Sequence, residues 1–420
     1  MLTRIYKMLI FIAFLSATNG PAIAQPIPEV FIAKATGDLS PAANDKIAQL
    51  RKEHAAGAIT IVKLNPAALV GAPVNSPRMF NLSSTERFQA LTRESSKLAG
   101  GRTFYRGEVA AIGNLPKGDA TLIIDGANAT GTITAPDGSR YQVRPVGGGD
   151  HAIIELDYAK LPTDEPPGSM PSGDAVLHKG MATAGVNGDA ASGGTPTIDL
   201  LVGYTNNAAS ASGGIDSLID LAIAETNASF ANSGINAKVR LAGKIAVAYA
   251  ETGKTFDTIL SDFVANTSVS KQRDAVGADV AVLIINQSDY CGLADEISAT
   301  AAKAFVIVHY GCATGYYSFA HEIGHLIGAR HDLDVDPTLT PYAYGHAHLE
   351  KKTSGGWRTI MGYNCNSGAC PTRIQYWSNP NVSYSGTATG NAAREDNVRV
   401  WNERATTVAG FRPPKVAPPQ

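Results

Sequence analysis

Residues 321–332 read HEIGHLIGARHD and hold three of the nine histidines of this 420-residue chain. On a helix, His321 and His325 are four residues apart, so their side chains lie one turn apart on one face. Gly328 can adopt a positive φ, end the helix and turn the chain sharply. That turn would bring His331 back to the same point. The pattern therefore predicts three imidazoles that bind one metal ion.

These residue types in this order predict hydrolytic chemistry. Three neutral histidines leave the fourth position of a tetrahedral zinc ion open for water, and zinc lowers the pKa of that water to about 7. Glu322, next to the first histidine, can accept the proton of the water and return it to the leaving amine. We predict one catalytic zinc ion and hydrolysis of peptide bonds with Glu322 as the general base. The sequence leaves a calcium requirement open.

A second element follows the histidines. The stretch TIMGY places Met361 thirty residues after His331. The motif HExxHxxGxxH followed by such a methionine is the pattern of the metzincins, in which the methionine lies in a tight turn beneath the metal. By this pattern Met361 and Gly328 are structural residues of the site.

Residues 197–412 resemble the bacterial peptidyl-Asp metalloendopeptidases within the metzincins. The stretches that carry the resemblance are TIDLLVGYT, AETNASFANSGIN, GADVAVLI, CG, SFAHEIGHLIGARHD, TIMGY and YWSNPNV. The resemblance implies an α/β (α+β) catalytic domain with a mixed five-stranded sheet and an active-site helix. It also implies that residues 25–196 are an inhibitory propeptide that is removed on maturation, and that the enzyme cleaves proteins or peptides on the N-terminal side of Asp or Glu.

Three further residues near the motif are assigned roles. Asp332 directly follows the third histidine, as an aspartate does in the adamalysins. We expect it to be a structural carboxylate that accepts hydrogen bonds. Tyr363 looks like the tyrosine of astacins and serralysins and is a candidate oxyanion stabiliser, with a packed aromatic ring as the alternative. Arg373 is a candidate reader of the acidic substrate residue, with a solvated surface arginine as the alternative.

The N-terminus has the pattern of a signal peptide. Arg4 and Lys7 precede an apolar run too short to span a bilayer, and Ala22-Ile23-Ala24 is a small-residue cleavage pattern. We predict that residues 1–24 are removed and that the chain is exported to the extracellular space or the periplasm. The remaining chain is expected to have no membrane segment.

Composition divides the mature chain into parts. Residues 25–165 contain alternating strands around Asp-Gly turns and predict a small β-rich domain. Residues 166–196 are rich in Pro, Gly, Ser and Ala and predict a flexible linker. Residues 197–412 form the predicted catalytic domain, and 413–420 a tail. Within the catalytic domain we predict strands at 197–205, 238–250, 278–286 and 304–310, a short edge strand in CGLADEI, and helices at 215–234 and 391–410.

The four cysteines are Cys291, Cys312, Cys365 and Cys370. In an exported protein they predict two disulfides, of which Cys291–Cys312 and Cys365–Cys370 are the local pairing among three possible connectivities. A four-cysteine zinc site is the competing interpretation. Residues 1–290 contain no cysteine, so a propeptide cysteine cannot silence the metal.

The precursor must then be kept inactive by another metal ligand or by simple occlusion of the active site. Asp164, Glu165, Asp174 and His178 lie near the linker, but no spacing singles one out. We predict self-processing before Asp174 or Asp189.

Other function classes fit less well. The net charge of −2 gives no sign of a nucleic-acid binder, and we expect a monomer. A non-catalytic exported zinc-binding protein and a metallohydrolase of a non-protein amide remain as alternatives.

Overall fold

The computed structural model describes residues 26–34, 37, 39–53, 56–111, 117–165, 194–352, 356–363 and 371–415. The predicted signal peptide, most of the predicted linker with Asp174, His178 and Asp189, and the cysteines Cys365 and Cys370 lie outside the described residues.

The N-terminal part is an antiparallel sheet of nine strands with one packed helix. The strands are β1 (Phe31–Ala33), β2 (Ala56–Leu64), β3 (Pro77–Asn81), β4 (Arg87–Lys97), β5 (Thr103–Val109), β6 (Gly118–Asp125), β7 (Asn128–Thr134), β8 (Arg140–Gly147) and β9 (Asp150–Leu156), and the helix is α1 (Pro41–Leu50). The strand order is β1-β2-β9-β8-β7-β6-β5-β4-β3. Val30 donates to the carbonyl of Met79 in β3, so the sheet curls until its two edges meet.

Local sequence explains this sheet. In β5 buried and less buried residues alternate, which is the period of a strand with one face on a core. The hairpin between β6 and β7 turns at Gly126, whose φ of 60° favours glycine. The core inside the curled sheet contains Phe31, Phe80, Tyr105 and Leu122. The N-terminal part is therefore built mainly of β-strands.

The C-terminal part is a mixed α/β unit. Its strands are β10 (Thr197–Thr205), β11 (Lys238–Val247), β12 (Val280–Ile285), β13 (Gly292–Ala294), β14 (Phe305–His309), β15 (Leu349–Lys351), β16 (Gly356–Arg358), β17 (Thr372–Arg373), β18 (Ser383–Tyr384) and β19 (Thr387–Ala388). Its helices are α2 (Asn206–Ser212), α3 (Ile215–Ser233), α4 (Phe256–Val264), α5 (Thr267–Val276), α6 (Tyr310–Ala313), α7 (Ser318–Ile327) and α8 (Asn397–Val408).

The main sheet of this part has five strands in the order β11-β10-β12-β14-β13. The first four run parallel, and β13 pairs antiparallel with β14 at the edge. All six residues of β12 are buried, as the continuous apolar run predicted for a central strand. The expected mixed five-stranded sheet is therefore present, and α7 packs against β13 and β14.

One expectation about the helices needs correction, and some helices were missed. The last helix begins at Asn397 rather than near residue 391, because the side chain of Asp396 caps it by accepting a hydrogen bond from the backbone N–H of Arg399. The helices α2, α4, α5 and α6 were not predicted. In α4 and α5, the side chains of Thr255 and Asn266 cap the N-termini, and these are signals that the sequence already contained.

The two parts pack directly on each other. Strands β6 and β7 lie against α3. From β8, Gln142 donates to the carbonyls of Gly311 and Thr314, and Arg140 donates to the carbonyls of Gly315 and Arg373 at 2.6 and 3.1 Å. The N-terminal part thus contacts the segments on either side of α7.

Among the helices of the described ranges, none combines the length and the apolar character that crossing a bilayer would require.

Candidate metal centre and active site

Three histidines meet at one point. The Nε2 atoms of His321 and His325 are 3.1 Å apart, and each lies 3.2 Å from Nε2 of His331. All three side chains are buried. Because zinc–nitrogen bonds are about 2.0–2.1 Å long, one ion can reach all three nitrogens at this spacing. The predicted convergence of the three rings is therefore present in the fold.

The backbone orients two of these rings. Nδ1 of His321 lies 2.9 Å from the carbonyl oxygen of Ile360, and Nδ1 of His325 lies 2.9 Å from that of Ala329. A carbonyl accepts only, so each Nδ1 carries the proton and each Nε2 keeps its lone pair for a metal. Burial lowers the pKa of His325 to about 4, which favours the neutral form that a ligand needs.

Gly328 ends the helix α7 as predicted. Its φ is 118°, and its N–H bonds to the carbonyls of Gly324 and His325. A Cβ at this position would lie 2.9 Å from the ring of Tyr342. The conformation and the crowding both require glycine, and the resulting turn brings His331 back to the other two histidines.

Met361 lies in a turn beneath the helix. Gly362 donates to the carbonyl of Thr359 at 2.9 Å and closes the turn. The methionine is fully buried, and its sulfur would lie 2.9 Å from a Cβ added to Gly324 of α7. The same turn presents the carbonyl of Ile360 to His321.

Glu322 is buried next to the histidine cluster. Neither of its carboxylate oxygens has a hydrogen-bond partner among the described residues. Burial, reinforced by the negative charges of Glu165 and Asp164, raises the pKa of Glu322 well above its usual range. Gly292 of β13 lies directly against this carboxylate, because a Cβ there would be 2.2 Å from Oε1.

Asp332 and Tyr363 contact each other through the backbone. Oδ2 of Asp332 accepts a hydrogen bond from the N–H of Tyr363 at 2.9 Å, so this buried carboxylate connects the third histidine to the methionine turn. The ring of Tyr363 is 5.1 Å from that of His331, and its hydroxyl donates to the carbonyl of Glu165 at 2.8 Å. Burial raises the pKa of Tyr363, so the hydroxyl keeps its proton and remains a donor.

Arg373 is fully buried, which contradicts the alternative of a solvated surface arginine. Its guanidinium lies 4.2 Å from the ring centroid of Tyr316 and donates to the carbonyls of Tyr316 and Gly362 at 3.1 and 2.9 Å. Both terminal nitrogens also pair with the carboxylate of Asp164 from the N-terminal part. The carbonyl of Gly362 links this arginine to the methionine turn.

Two acidic residues that the sequence did not single out complete the cluster. Oε1 of Glu165 lies 2.7 Å from Nε2 of both His325 and His331 and 3.7 Å from that of His321. Glu165 and the three histidines form a group that could hold a metal ion. The only signal in the sequence is that an Asp-Glu pair ends the β-rich part just before the Pro-rich stretch.

His346 was also assigned no role. Its Nδ1 lies 2.9 Å from the carbonyl oxygen of His331, so it supports the backbone of the third histidine. His348 is 2.7 Å from Glu395 and is not part of the cluster.

A disulfide joins Cys291 to Cys312, as the local pairing predicted. It connects the residue before β13 to α6. The four-cysteine zinc site is thereby excluded for these two residues, while the pairing of Cys365 with Cys370 lies outside the described residues.

Comparison with known proteins identifies relatives over most of the chain. A family model described as metallo-peptidase family M12 matches residues 194–378. A peptidyl-Asp metalloendopeptidase of Stenotrophomonas maltophilia is 41% identical over 310 residues, which are 71% of each chain. A protein of the same name from Xanthomonas campestris is 44% identical over 305 residues, 71% of this chain and 70% of that one.

Among solved structures, metalloproteinase-II from Bacteroides fragilis aligns with 69% of this chain and 86% of its own at 12% identity. The TM-score of 0.37 is too low for an argument from shape.

Proposed function

Because the chain belongs to the peptidyl-Asp metalloendopeptidase family within the M12 metallopeptidases, we propose that it is an exported zinc endopeptidase that cleaves on the N-terminal side of acidic residues. That it is a metalloendopeptidase acting on proteins or peptides follows from the family. The family membership disfavours the alternatives of a non-catalytic binding protein and of a hydrolase of non-protein amides. The observation that carries the proposal is the convergence of three Nε2 atoms within 3.2 Å of one another.

The donor set fits zinc. His321, His325 and His331 would hold the ion through Nε2, and two of them have Nδ1 engaged by backbone carbonyls. An all-nitrogen set of three suits zinc and leaves further positions for substrate. Bound there, zinc would lower the pKa of water towards 7 and polarise a carbonyl group.

Glu322 would be the general base. It follows His321 directly, its carboxylate lies in the same buried cluster, and it has no hydrogen bond to another described residue. It would take a proton from the attacking water and pass it to the nitrogen of the leaving amine. Release of the Glu165 and Asp164 carboxylates would remove two of the negative charges that raise the pKa of Glu322.

Arg373 would set the preference for acidic residues. Its guanidinium is held by two carbonyls and by the ring of Tyr316, so its direction is fixed. In the intact chain a carboxylate fills the space in front of it. A buried guanidinium without a counter-charge is costly, and therefore a substrate carboxylate bound there bidentately would be strongly favoured.

Tyr363 would donate a hydrogen bond to the substrate carbonyl as negative charge develops on it. The support is its present bond to the backbone carbonyl of Glu165, which shows that the hydroxyl reaches a peptide lying at the histidines. Donors of this kind act mainly on the transition state.

The N-terminal part would be an inhibitory propeptide of an exported enzyme. It covers the segments around α7, and its last described residues occupy the histidine cluster and the front of Arg373. The predicted signal peptide at 1–24 and cleavage within the segment after residue 165 complete this proposal.

The test is digestion of a peptide library by the secreted, processed protein, with and without a zinc chelator, beside the Glu322→Ala variant after its N-terminal part has been removed by the parent enzyme. Cleavage before Asp or Glu should require the metal and be lost in Glu322→Ala, while both proteins contain zinc by metal analysis. Chelator-insensitive cleavage would contradict the mechanism, and cleavage without regard to acidic residues would contradict the specificity. N-terminal sequencing of the same material should give a start between residues 166 and 196.

A further inference from the structure

The carboxylate of Glu165 occupies the space between the three metal-ligand candidates. It is fully buried, and its Oε1 lies within 2.7 Å of two of the imidazole nitrogens. It lies against the Nε2 atoms, while the Nδ1 atoms of His321 and His325 bond to backbone carbonyls. This is where a fourth donor to an ion shared by the three rings would lie.

The residues around Glu165 are held like a bound peptide. The carbonyl of Thr163 accepts a hydrogen bond from the N–H of Cys291 at 2.9 Å, next to the edge strand β13. The side chain of Asp164 pairs with Arg373. The carbonyl of Glu165 accepts a hydrogen bond from Tyr363 at 2.8 Å. Asp164 and Glu165 thus use contacts that the proposed function reserves for substrate, and Thr163 holds the segment beside β13.

Charge balance points to a cation. Asp164, Glu165 and Glu322 bring three carboxyl groups into one fully buried cluster, and Arg373 supplies a single positive charge to it. Burying a carboxylate against neutral imidazoles alone leaves its charge uncompensated, which is costly. A divalent ion among the imidazoles would supply the missing positive charge.

We propose that Glu165 is the fourth metal ligand of the intact chain, and that Asp164 anchors it by filling the acid-reading site of Arg373. The inference rests on the proposed function and deepens it by naming the residues that keep the enzyme latent. Three histidines with one carboxylate make a closed tetrahedral site, which has no position left for water. This carboxylate replaces the propeptide cysteine that residues 1–290 lack.

The experiment uses the full-length chain with Glu322→Ala, which prevents self-processing. The protein is loaded with Co²⁺ in place of zinc, and its visible absorption spectrum and the rate of metal loss to a chelator are recorded. The test variant adds Glu165→Gln, which keeps the shape of the side chain and removes its charge. The matched control adds Glu94→Gln, an exposed glutamate of β4 bonded to Ser96.

We expect Glu165→Gln to change the absorption bands of Co²⁺ and to speed metal loss about tenfold or more, because a ligand position is opened to water. Glu94→Gln should change neither. Identical spectra and identical rates of metal loss in the parent and in Glu165→Gln would overturn the proposal. If Glu165→Gln does not fold, Glu165→Asp, which shortens the side chain, should shift the spectrum, and an unchanged spectrum would equally overturn it.

The outcome separates this inference from the proposed function. If the parent itself binds no Co²⁺ or zinc, the proposed metal site is wrong, and Glu165 has no ion to bind. If the parent binds metal and the processed enzyme cleaves peptides, but Glu165→Gln behaves as the parent, only the role of Glu165 is wrong.

Discussion

Gly292 of the edge strand β13 lies so close to Glu322 that any Cβ at this position would be 2.2 Å from its Oε1 and 2.5 Å from its Cγ and Cδ. Because residue 292 has no side chain, the carboxylate of Glu322 can occupy the space beside it. Among the described residues, β13 pairs with β14 and forms the last strand of the main sheet. This relationship gives the first of five predictions.

Gly292→Ala should displace the carboxylate of Glu322 without removing a metal ligand. We expect kcat for a peptide with an acidic residue to fall about 100-fold, within the range that general acid–base catalysis supplies, while zinc content stays the same. Gly194→Ala is the control, because a Cβ there meets no atom within 4 Å. Steady-state kinetics measures kcat, and metal analysis measures the zinc content. An unchanged kcat in Gly292→Ala would show that Glu322 is not constrained by this contact.

Arg373→Ala should remove the preference for acidic residues. In the processed enzyme we expect kcat/KM for a peptide with Asp to fall about 100-fold or more relative to its Asn counterpart, because the bidentate partner of the carboxylate is lost. Arg399→Ala is a control at an exposed arginine paired with Glu403. Library digestion followed by mass spectrometry measures the pattern. If Arg373→Ala still cleaves preferentially before Asp, another group must recognise the acidic residue of the substrate.

Tyr363→Phe should lower kcat by about 100-fold with little change in KM, because the donated hydrogen bond matters most in the transition state. Zinc content should remain that of the parent. Tyr249→Phe removes a hydroxyl that bonds to the exposed Asp262 and serves as the control. Equal loss of kcat in both variants would indicate a general effect on stability and not on the reaction.

Glu225 of α3 should make the stability of the intact chain depend on pH. Burial raises the pKa of Glu225 from 4.5 to about 7, although it accepts a hydrogen bond from the N–H of Gly315. The charged and titratable groups that face it are Arg140, Asp119 and Tyr317. The folded chain favours the protonated form of Glu225. The contribution of Glu225 to the stability of the folded chain is therefore fully present below about pH 4.5 and is lost as the pH rises through 7.

Glu225→Gln should therefore flatten that dependence. In the Glu322→Ala background, we expect the fall in Tm between about pH 5 and pH 8 to be smaller in Glu225→Gln than in the parent. Glu94→Gln should leave the slope unchanged. Thermal unfolding followed by circular dichroism makes the comparison, and equal slopes in all three proteins would mean that Glu225 titrates normally.

The disulfide between Cys291 and Cys312 should stabilise the edge of the sheet. The two cysteines are 21 residues apart, and a loop of this size corresponds to about 3 kcal/mol. We expect replacement of both cysteines by serine to lower the free energy of unfolding by about that amount. Urea denaturation of the two proteins without reductant measures the difference. A difference below about 0.5 kcal/mol would show that packing alone holds β13 in place.

Much of the site could be read from the sequence because its parts are local. His321, His325 and Gly328 belong to one helix and its cap, where a fixed repeat converts spacing into geometry. Apolar runs identified β10, β12 and β14 in the same way. The helices α4 and α5 were missed, although Thr255 and Asn266 are typical N-cap residues.

The position of Asp164 and Glu165 at the site could not be predicted from the sequence. Glu165 precedes His321 by 156 residues, and no periodicity relates them. Gly292 and His346 are likewise close to the site only through the fold. Arg373 was a candidate from its place after the methionine turn, but the sequence did not indicate that it is buried or that Asp164 faces it.

The sequence by itself determined the helix α7, its terminating glycine and the methionine turn, because hydrogen bonds between near neighbours in the chain fix these elements. Only the tertiary structure decided which groups face the three histidines. Those contacts join the end of the N-terminal sheet to β13 and β17, and they arise from the burial of charged groups across an interface, which no local pattern records.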